Sequence, residues 1–524
     1  MQEKIKRSHA SVWILLIVLL GLGIRLVGFQ WGQGYFYFGQ GDGIAAYSAA
    51  VDYAKGDARA QFIGQPNYNA HSKLPGPLWT LFCFLGLRVG GTIEGVMLAL
   101  ILLNTATIYL AYLLAERTLG PPASLWAALF AATLPSMVFY SMGVYNPGVM
   151  TFLGACLYLA LWEVSRRERS RHIFWLGVIL LMMPQFHMSG MMLWPAVGVI
   201  LALSSVRLNV PWLLGGLIAG VSFYIPYLAG EMTHGWQNTY GMVSGAGGRS
   251  WDSLKAITIP LNLLVNWVPQ CTRGAAEYRE LGIACFGSFG LFLAINLLSA
   301  VVAGFLIVGA FQQGRAAARG FWREPRVVFN RTPGILFLAI LLLIPLLCAL
   351  LSGKPFHARY ALVLFPLLLA LAGGAAAKWL LAPRVGRFFA AALVVTTCVN
   401  IWFMPALYWH QGARIDRGEV FVPGFRKLES VYQKLKVHAG TNRCVRVEDA
   451  AYLHSLPATD KVLRDAGLIS LYIAVREKEF VMLAGKPGEP VIYGLCRADE
   501  VTSGDTRIAY QGNGIALIAK TPSP

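Results

Sequence analysis

The sequence predicts a polytopic α-helical membrane protein with a small α/β domain at its C-terminal end, and three observations carry that expectation. Of 524 residues, 56% are hydrophobic and only 13% charged, too little polarity to cover a soluble globule of this size. Apolar runs long enough to cross a hydrocarbon core, about 20 residues of helix each, recur from residue 11 to about residue 409. These runs are continuous and do not alternate, which excludes a membrane β-barrel. From about His410 the composition becomes polar and mixed.

The first run, residues 11 to 29, follows the basic segment MQEKIKRSH and precedes no A-x-A-like cleavage site. It reads as a retained signal-anchor with a cytoplasmic N-terminus. Residues 30 to 92 form a large first loop, in which Ile44, Tyr47, Val51 and Ala54 have helical spacing. PLWTLFCFLGLRV reads as a second short helix lying along the interface. Further spans are expected at about 93–115, 122–142, 149–165, 173–188, 190–206, 211–230, 281–310, 334–352, 360–380 and 387–409, making about eleven.

The net charge of +18 would suit nucleic acid, but most of the cations in the apolar portion sit in short loops between spans, so membrane lipids are the expected surroundings and no nucleic acid is. With the first loop outside the bilayer, Arg117, RRERSR at 166–171, Arg207, the stretch from Arg315 to Arg331, and Arg384 with Arg387 all fall on one side, the cytoplasmic one. If PLWTLFCFLGLRV crossed, those loops would all turn outward. The opposite face receives residues 30–92, the YNPG turn at 145–148, a loop at 231–280, KPFHARY at 354–360 and the tail.

The chain therefore divides into a transmembrane domain, 1–409, and an extracytoplasmic α/β domain, 410–524. In the tail, FRKLESVYQKLK has the pattern of an amphipathic helix, while KEFVML, EPVIYGL and GIALIAK have that of strands. Five of the eight cysteines, at 83, 156, 285, 348 and 398, lie in or beside apolar runs, and no metal-ligand spacing links them. Cys444 and Cys496 would be able to pair if the tail faces an oxidising compartment.

Chemistry is to be sought among polar residues near the extracytoplasmic boundary, where buried charge is costly and often serves a site. Asp42, in GQGDGIA, opens a predicted helix and is either its cap or a general base accepting a proton from an attacking hydroxyl or amine. Asp52 lies on another helix face. Lys73 in HSKLPGPLW and Arg359 in KPFHARY adjoin spans; each is either an interfacial anchor or a counter-charge for a phosphate leaving group. His187 in PQFHMSG, His71 and His357 are hydrogen-bonded structural residues or site residues. Two or three of them with Asp42 would suit a divalent metal ion, which no motif requires.

Taken in order, these segments resemble the GT-C glycosyltransferases, in the branch of protein O-mannosyltransferases and lipid A aminoarabinose transferases. The first-loop motif is similar in Asp42, Tyr47 and Gly56, with Gly43 where the family commonly has Glu. SKLPGPLW resembles the family's Lys-Pro-Pro-Leu segment, with Gly76 before Pro77. YNPGVMTFLGACLYLALW resembles its Asp-Pro segment, with Asn146 where Asp is frequent. HARYALVLFPLLLALAGG carries its Arg-Tyr segment in Arg359 and Tyr360. The likeness runs from residue 12 to about residue 380.

The resemblance implies a sugar donor linked to a polyprenyl phosphate, Asp42 as catalytic base, and Lys73 and Arg359 on the donor phosphate. It implies inverting transfer to a lipid, glycan or protein acceptor outside a bacterial plasma membrane. A membrane transporter or a lipid or polysaccharide flippase is the reading from a different class. It would place charges along the spans, whose interiors carry only Arg25, Glu116 and Glu163 near their ends. A purely structural subunit would leave the long first loop without a role.

Overall fold

A computed structural model describes residues 2–31, 42–56, 62, 64, 73–244, 275–352, 358–416 and four strands of the tail. Helix α1 (Gln2–Trp31) leads to α2 (Asp42–Ala54), α3 (Leu78–Gly90) and α4 (Ile93–Leu119). Of the expected stripe in α2, Tyr47 and Val51 are buried, with Ala46 and Ala50 beside them, and Ala54 is half-buried. The helix stops at Gly56, which takes a φ of 78° that glycine adopts without steric cost. Helix α3 buries Trp79, Cys83 and Leu87 and packs against α2 and α4.

Then follow α5 (Pro121–Thr133), α6 (Pro135–Tyr140), α7 (Met150–Arg166), α8 (His172–Phe186) and α9 (Leu193–Leu203). Next come α10 (Val210–Ser222), α11 (Ile225–Thr233), α12 (Gln237–Ser244), α13 (Ala275–Phe286) and α14 (Phe289–Ala317). The bundle ends with α15 (Pro325–Arg331), α16 (Pro333–Leu351), α17 (Phe365–Leu380) and α18 (Gly386–Asp416). Among the described residues, 3-10 turns at Asn146–Val149, Met188–Met192 and Ala358–Leu364 interrupt it.

Among the described residues, seven helical segments are long and apolar enough to cross a membrane, or eight if the bent pair α10–α11 is one span. This is an integral membrane protein. The other expected spans are shorter or broken helices among the described residues. Helices α10 and α11 meet at 46°. The expected 122–142 run breaks at Leu134, because Pro135 has no N–H for the carbonyl of Ala131 and its ring disfavours helix in the residue before it.

Arg25 repairs that break. Its Nη2 donates to the carbonyl of Ala131 at 3.0 Å and its Nη1 to the carbonyls of Ala132 at 3.2 Å and Gly21 at 2.9 Å. It is fully buried, so the charge near the end of the first span caps the orphaned carbonyls of α5. Glu116 accepts from the Tyr112 hydroxyl at 3.2 Å. Glu163 pairs with Arg117 at 3.0 Å and Arg167 at 2.8 Å. All three span charges are thus engaged in holding helices.

The basic connections gather at one end of the bundle. The Arg169 N–H donates to Arg207 O at 2.8 Å, and the Arg207 N–H to Glu168 Oε2 at 2.8 Å. Arg326 donates to Ala202 O at 3.2 Å, and Asn330 Nδ2 to Ser205 Oγ at 2.9 Å. Gly334 packs on the carbonyl of Thr118, and Lys378 donates to Gln312 at 2.7 Å. At the other end, Trp31 meets Trp409 with ring centroids 5.5 Å apart. Gly28 there lies against Met142 and Tyr408.

The tail contains a four-stranded sheet of β1 (Cys444–Val447), β2 (Pro490–Arg497), β3 (Arg507–Gly512) and β4 (Ile515–Lys520), in the order β1-β2-β4-β3. Strands β1 and β2 are parallel; the other pairs are antiparallel. EPVIYGL and GIALIAK are strands as expected; KEFVML and FRKLESVYQKLK lie outside the described residues. Cys444 stands opposite Pro490, six positions from Cys496 along β2. That is about 20 Å at the strand rise, whereas a disulfide needs Cα atoms within about 7 Å. The register rules out that pairing.

Candidate active site

The end opposite the basic loops is where segments from across the sequence converge. The YNPG turn is fixed from below by buried Asn104 on α4, whose Nδ2 donates to Gly148 O at 3.0 Å. The Ala358–Leu364 turn is fixed from α7, where the Tyr158 hydroxyl donates to Val363 O at 2.8 Å. Gly154, one turn earlier, admits the Val363 carbonyl where a β-carbon would collide. These two turns carry the polar residues.

Arg359 places its guanidinium carbon 5.8 Å from the Tyr145 ring centroid and 5.5 Å from that of Tyr360, a cation flanked by two aromatic faces. The Tyr360 ring lies 5.0 Å from His187. His187, in the connection between α8 and the next 3-10 turn, accepts the Ser189 N–H at Nδ1 at 3.1 Å, with Ser189 Oγ at 2.8 Å. A lone pair at Nδ1 assigns the proton of the neutral ring to Nε2. Asn146 Nδ2 donates to Phe186 O at 2.9 Å, tying the YNPG turn to the end of α8.

Lys73 reaches this end through its neighbours. Gly76 has a φ of 134°, and a β-carbon there would strike the Gln185 side chain. Gln185 is fully buried, and neither atom of its amide has a partner among the described residues. Lys73 itself is half-buried and gripped through its backbone by Asn238: its N–H donates to Asn238 Oδ1 at 2.5 Å, and Asn238 Nδ2 donates to its carbonyl at 3.1 Å.

Of the residues predicted from sequence, Arg359, Tyr360, His187 and Asn146 are thus brought together, with the Lys73 segment joined to them through Gln185. Asp42 is the first residue of α2. Tyr47 belongs to the core of the bundle and has no exposed surface. His71 and His357 lie outside the described residues. Among the described residues no three His, Cys, Asp or Glu side chains are grouped to hold a metal ion.

Tyr145, Gln185, Ser189 and Asn238 were not singled out in the sequence. Tyr145 had a signal, an aromatic beside the Asn-Pro turn at a membrane boundary. Asn238 had none, because it acts on a backbone 165 residues away.

Among solved structures, the chain is similar to ArnT from Cupriavidus metallidurans bound to undecaprenyl phosphate, with 13% identity and a TM-score of 0.57 over 98% of this chain and 99% of that one. The same protein in the apo state gives 13% and 0.57 over 98% of each chain. The Archaeoglobus fulgidus oligosaccharyltransferase in the apo form gives 11% and 0.46 over 94% of this chain and 70% of that one. Residues 71–229 match the family model of dolichyl-phosphate-mannose-protein mannosyltransferases. No curated protein matches. The fold is that of a polytopic membrane protein of the GT-C type, as the motifs implied; within it, the likeness to ArnT extends over nearly the whole chain.

Proposed function

We propose that this protein transfers a sugar from a polyprenyl-phosphate carrier to a lipid, glycan or protein acceptor on the extracytoplasmic face of the membrane. The observation that carries the reading is the position of Arg359. It is held between Tyr145 and Tyr360 beside His187, at the end of the bundle away from the basic loops. The positive-inside bias assigns those loops to the cytoplasm, which leaves Arg359 on the side where lipid-linked donors replace soluble nucleotide sugars. ArnT is described with undecaprenyl phosphate bound, a ligand of the class this reading requires.

Helix length adds a second support. Helix α8 has 15 residues, about 22 Å at 1.5 Å per residue, against a hydrocarbon core of about 30 Å. With its basic start at the cytoplasmic boundary, its other end stops roughly 8 Å inside the opposite one. His187 and its neighbours would then floor a recess open to the outer leaflet, at the depth of a carrier lipid's phosphate.

In the proposed reaction Asp42 takes the proton from the acceptor hydroxyl or amine as that atom attacks the anomeric carbon. The new bond to the sugar forms as the bond from the anomeric carbon to the phosphate oxygen breaks, with inversion at that carbon. The carrier phosphate departs with the electron pair. Arg359 and Lys73 neutralise the charge that develops on it, and the His187 Nε2–H offers a further donor.

The test uses the full chain in vesicles containing a radiolabelled polyprenyl-phosphate sugar and an envelope extract as acceptor. Label should move to the acceptor fraction with release of polyprenyl phosphate, and Asp42→Asn should slow this by roughly 10²- to 10⁴-fold. Undiminished transfer by Asp42→Asn would remove that residue from the mechanism. Translocation of the intact labelled donor without release of carrier would favour a flippase.

A further inference from the structure

We infer that Asn238 is a positioning residue that sets where Lys73 stands, and through it the affinity for a polyprenyl phosphate; this rests on the donor-phosphate reading of Lys73 above. Asn238 is buried near the start of α12. Its carboxamide takes both backbone polar groups of Lys73, accepting from the N–H and donating to the carbonyl. Holding the two together fixes φ and ψ on either side of one Cα, as pairing with a neighbouring strand would.

The amide is itself braced. Its Nδ2 donates also to the Tyr227 hydroxyl at 3.2 Å, and that hydroxyl pairs with Thr239 Oγ1 at 2.8 Å. The Thr239 N–H donates to Oε2 of fully buried Glu231 at 2.7 Å. This chain of bonds braces Asn238 across the turn between α11 and α12, while the donor N–H and acceptor carbonyl of Lys73 set which end of the amide faces each. Three residues further on, the Gly76 backbone abuts Gln185. The Lys73 segment is therefore held at two points, Lys73 and Gly76.

That matters because a lysine is a point charge on a flexible stem. Its use at a phosphate depends on where its Cα is anchored. The clamp involves only backbone atoms of Lys73, so replacing the Lys73 side chain leaves the clamp in place, and a double-mutant cycle isolates the dependence of one residue on the other.

The experiment measures binding of undecaprenyl phosphate, as probe, to the full chain in lipid nanodiscs for the parent, Asn238→Ala, Lys73→Met and the double variant. Asn238→Ala should weaken binding about tenfold, and less than about twofold when Lys73 is already Met. Tyr227→Phe removes only the hydroxyl that braces the amide nitrogen and should weaken binding roughly threefold, which covers the case in which Asn238→Ala fails to fold. Equal losses in both Lys73 backgrounds, or parent-like affinity in Asn238→Ala and Tyr227→Phe, would overturn the inference. A parent that does not bind the probe removes the donor reading together with this inference. A parent that binds and depends on Lys73 but is indifferent to Asn238 removes this inference alone.

Discussion

Replacing Arg359 by Lys separates charge from shape at the proposed donor phosphate. The guanidinium lies within 6 Å of two ring centroids, and each cation–π contact is worth about 0.5–1 kcal/mol, much of which an ammonium retains. What Lys loses is the planar fork. Two charge-assisted hydrogen bonds to a phosphate become one, a loss of about 1.5–2 kcal/mol or roughly tenfold in affinity. Arg359→Ala removes the charge as well. At about 4 Å and an effective dielectric of about 20 the attraction is worth about 4 kcal/mol, so the loss should be roughly a hundredfold to a thousandfold. The assay is the dissociation constant for undecaprenyl phosphate on the full chain in nanodiscs, with thermal unfolding as a control for the fold. Tyr145→Phe keeps its ring and should bind almost as the parent does. Parent-like affinity in Arg359→Lys together with less than about a threefold loss in Arg359→Ala would refute the assignment of Arg359 to the phosphate.

Two further substitutions test the scaffold beneath the site. Gly76→Ala places a β-carbon at a positive φ and against Gln185, which should cost about 2–4 kcal/mol; a fall in melting temperature is expected, and an unchanged one would contradict the close approach. Arg25→Met leaves the Ala131 and Ala132 carbonyls without their donor, and should lower stability by about 2–4 kcal/mol while leaving undecaprenyl phosphate affinity within about twofold. A large loss of affinity with unchanged melting would place Arg25 on a substrate path and not in a helix cap.

The parts of the site legible in the sequence were those carried by short motifs. Asn146, His187, Arg359 and Tyr360 each stood in a turn beside an apolar run, and the basic-loop bias assigned them to one face, where the fold brings them together. The gathering of the basic connections was legible for the same reason, since Arg and Lys positions are read directly along the chain. The span count was less legible, because hydropathy registers the length of an apolar run and not its continuity. Pro135 interrupts one such run, and the turn at Phe223 and Tyr224 interrupts another.

Contacts between distant backbones left no mark that a single sequence reveals. Asn238 grips Lys73 through groups common to almost every residue, and Gln185 is linked to the Lys73 segment through the missing side chain of Gly76. Arg25 looked like a charge near a span end of ambiguous side. Its role appears only when the broken end of α5 is seen beside it. The cysteines of the tail make the same point in reverse, since their pairing depended on a strand register that spacing does not encode.

The central claim is that a sugar leaves a lipid carrier through this site, and mass analysis of envelope lipids and glycans tests it most directly. Cells with the parent protein, without it, and with Asp42→Asn in its place should be compared. The account predicts that one sugar addition present with the parent disappears in both other strains, which would identify donor sugar and acceptor together. An envelope unchanged by loss of the protein, or fully modified by the Asp42→Asn variant, would contradict it.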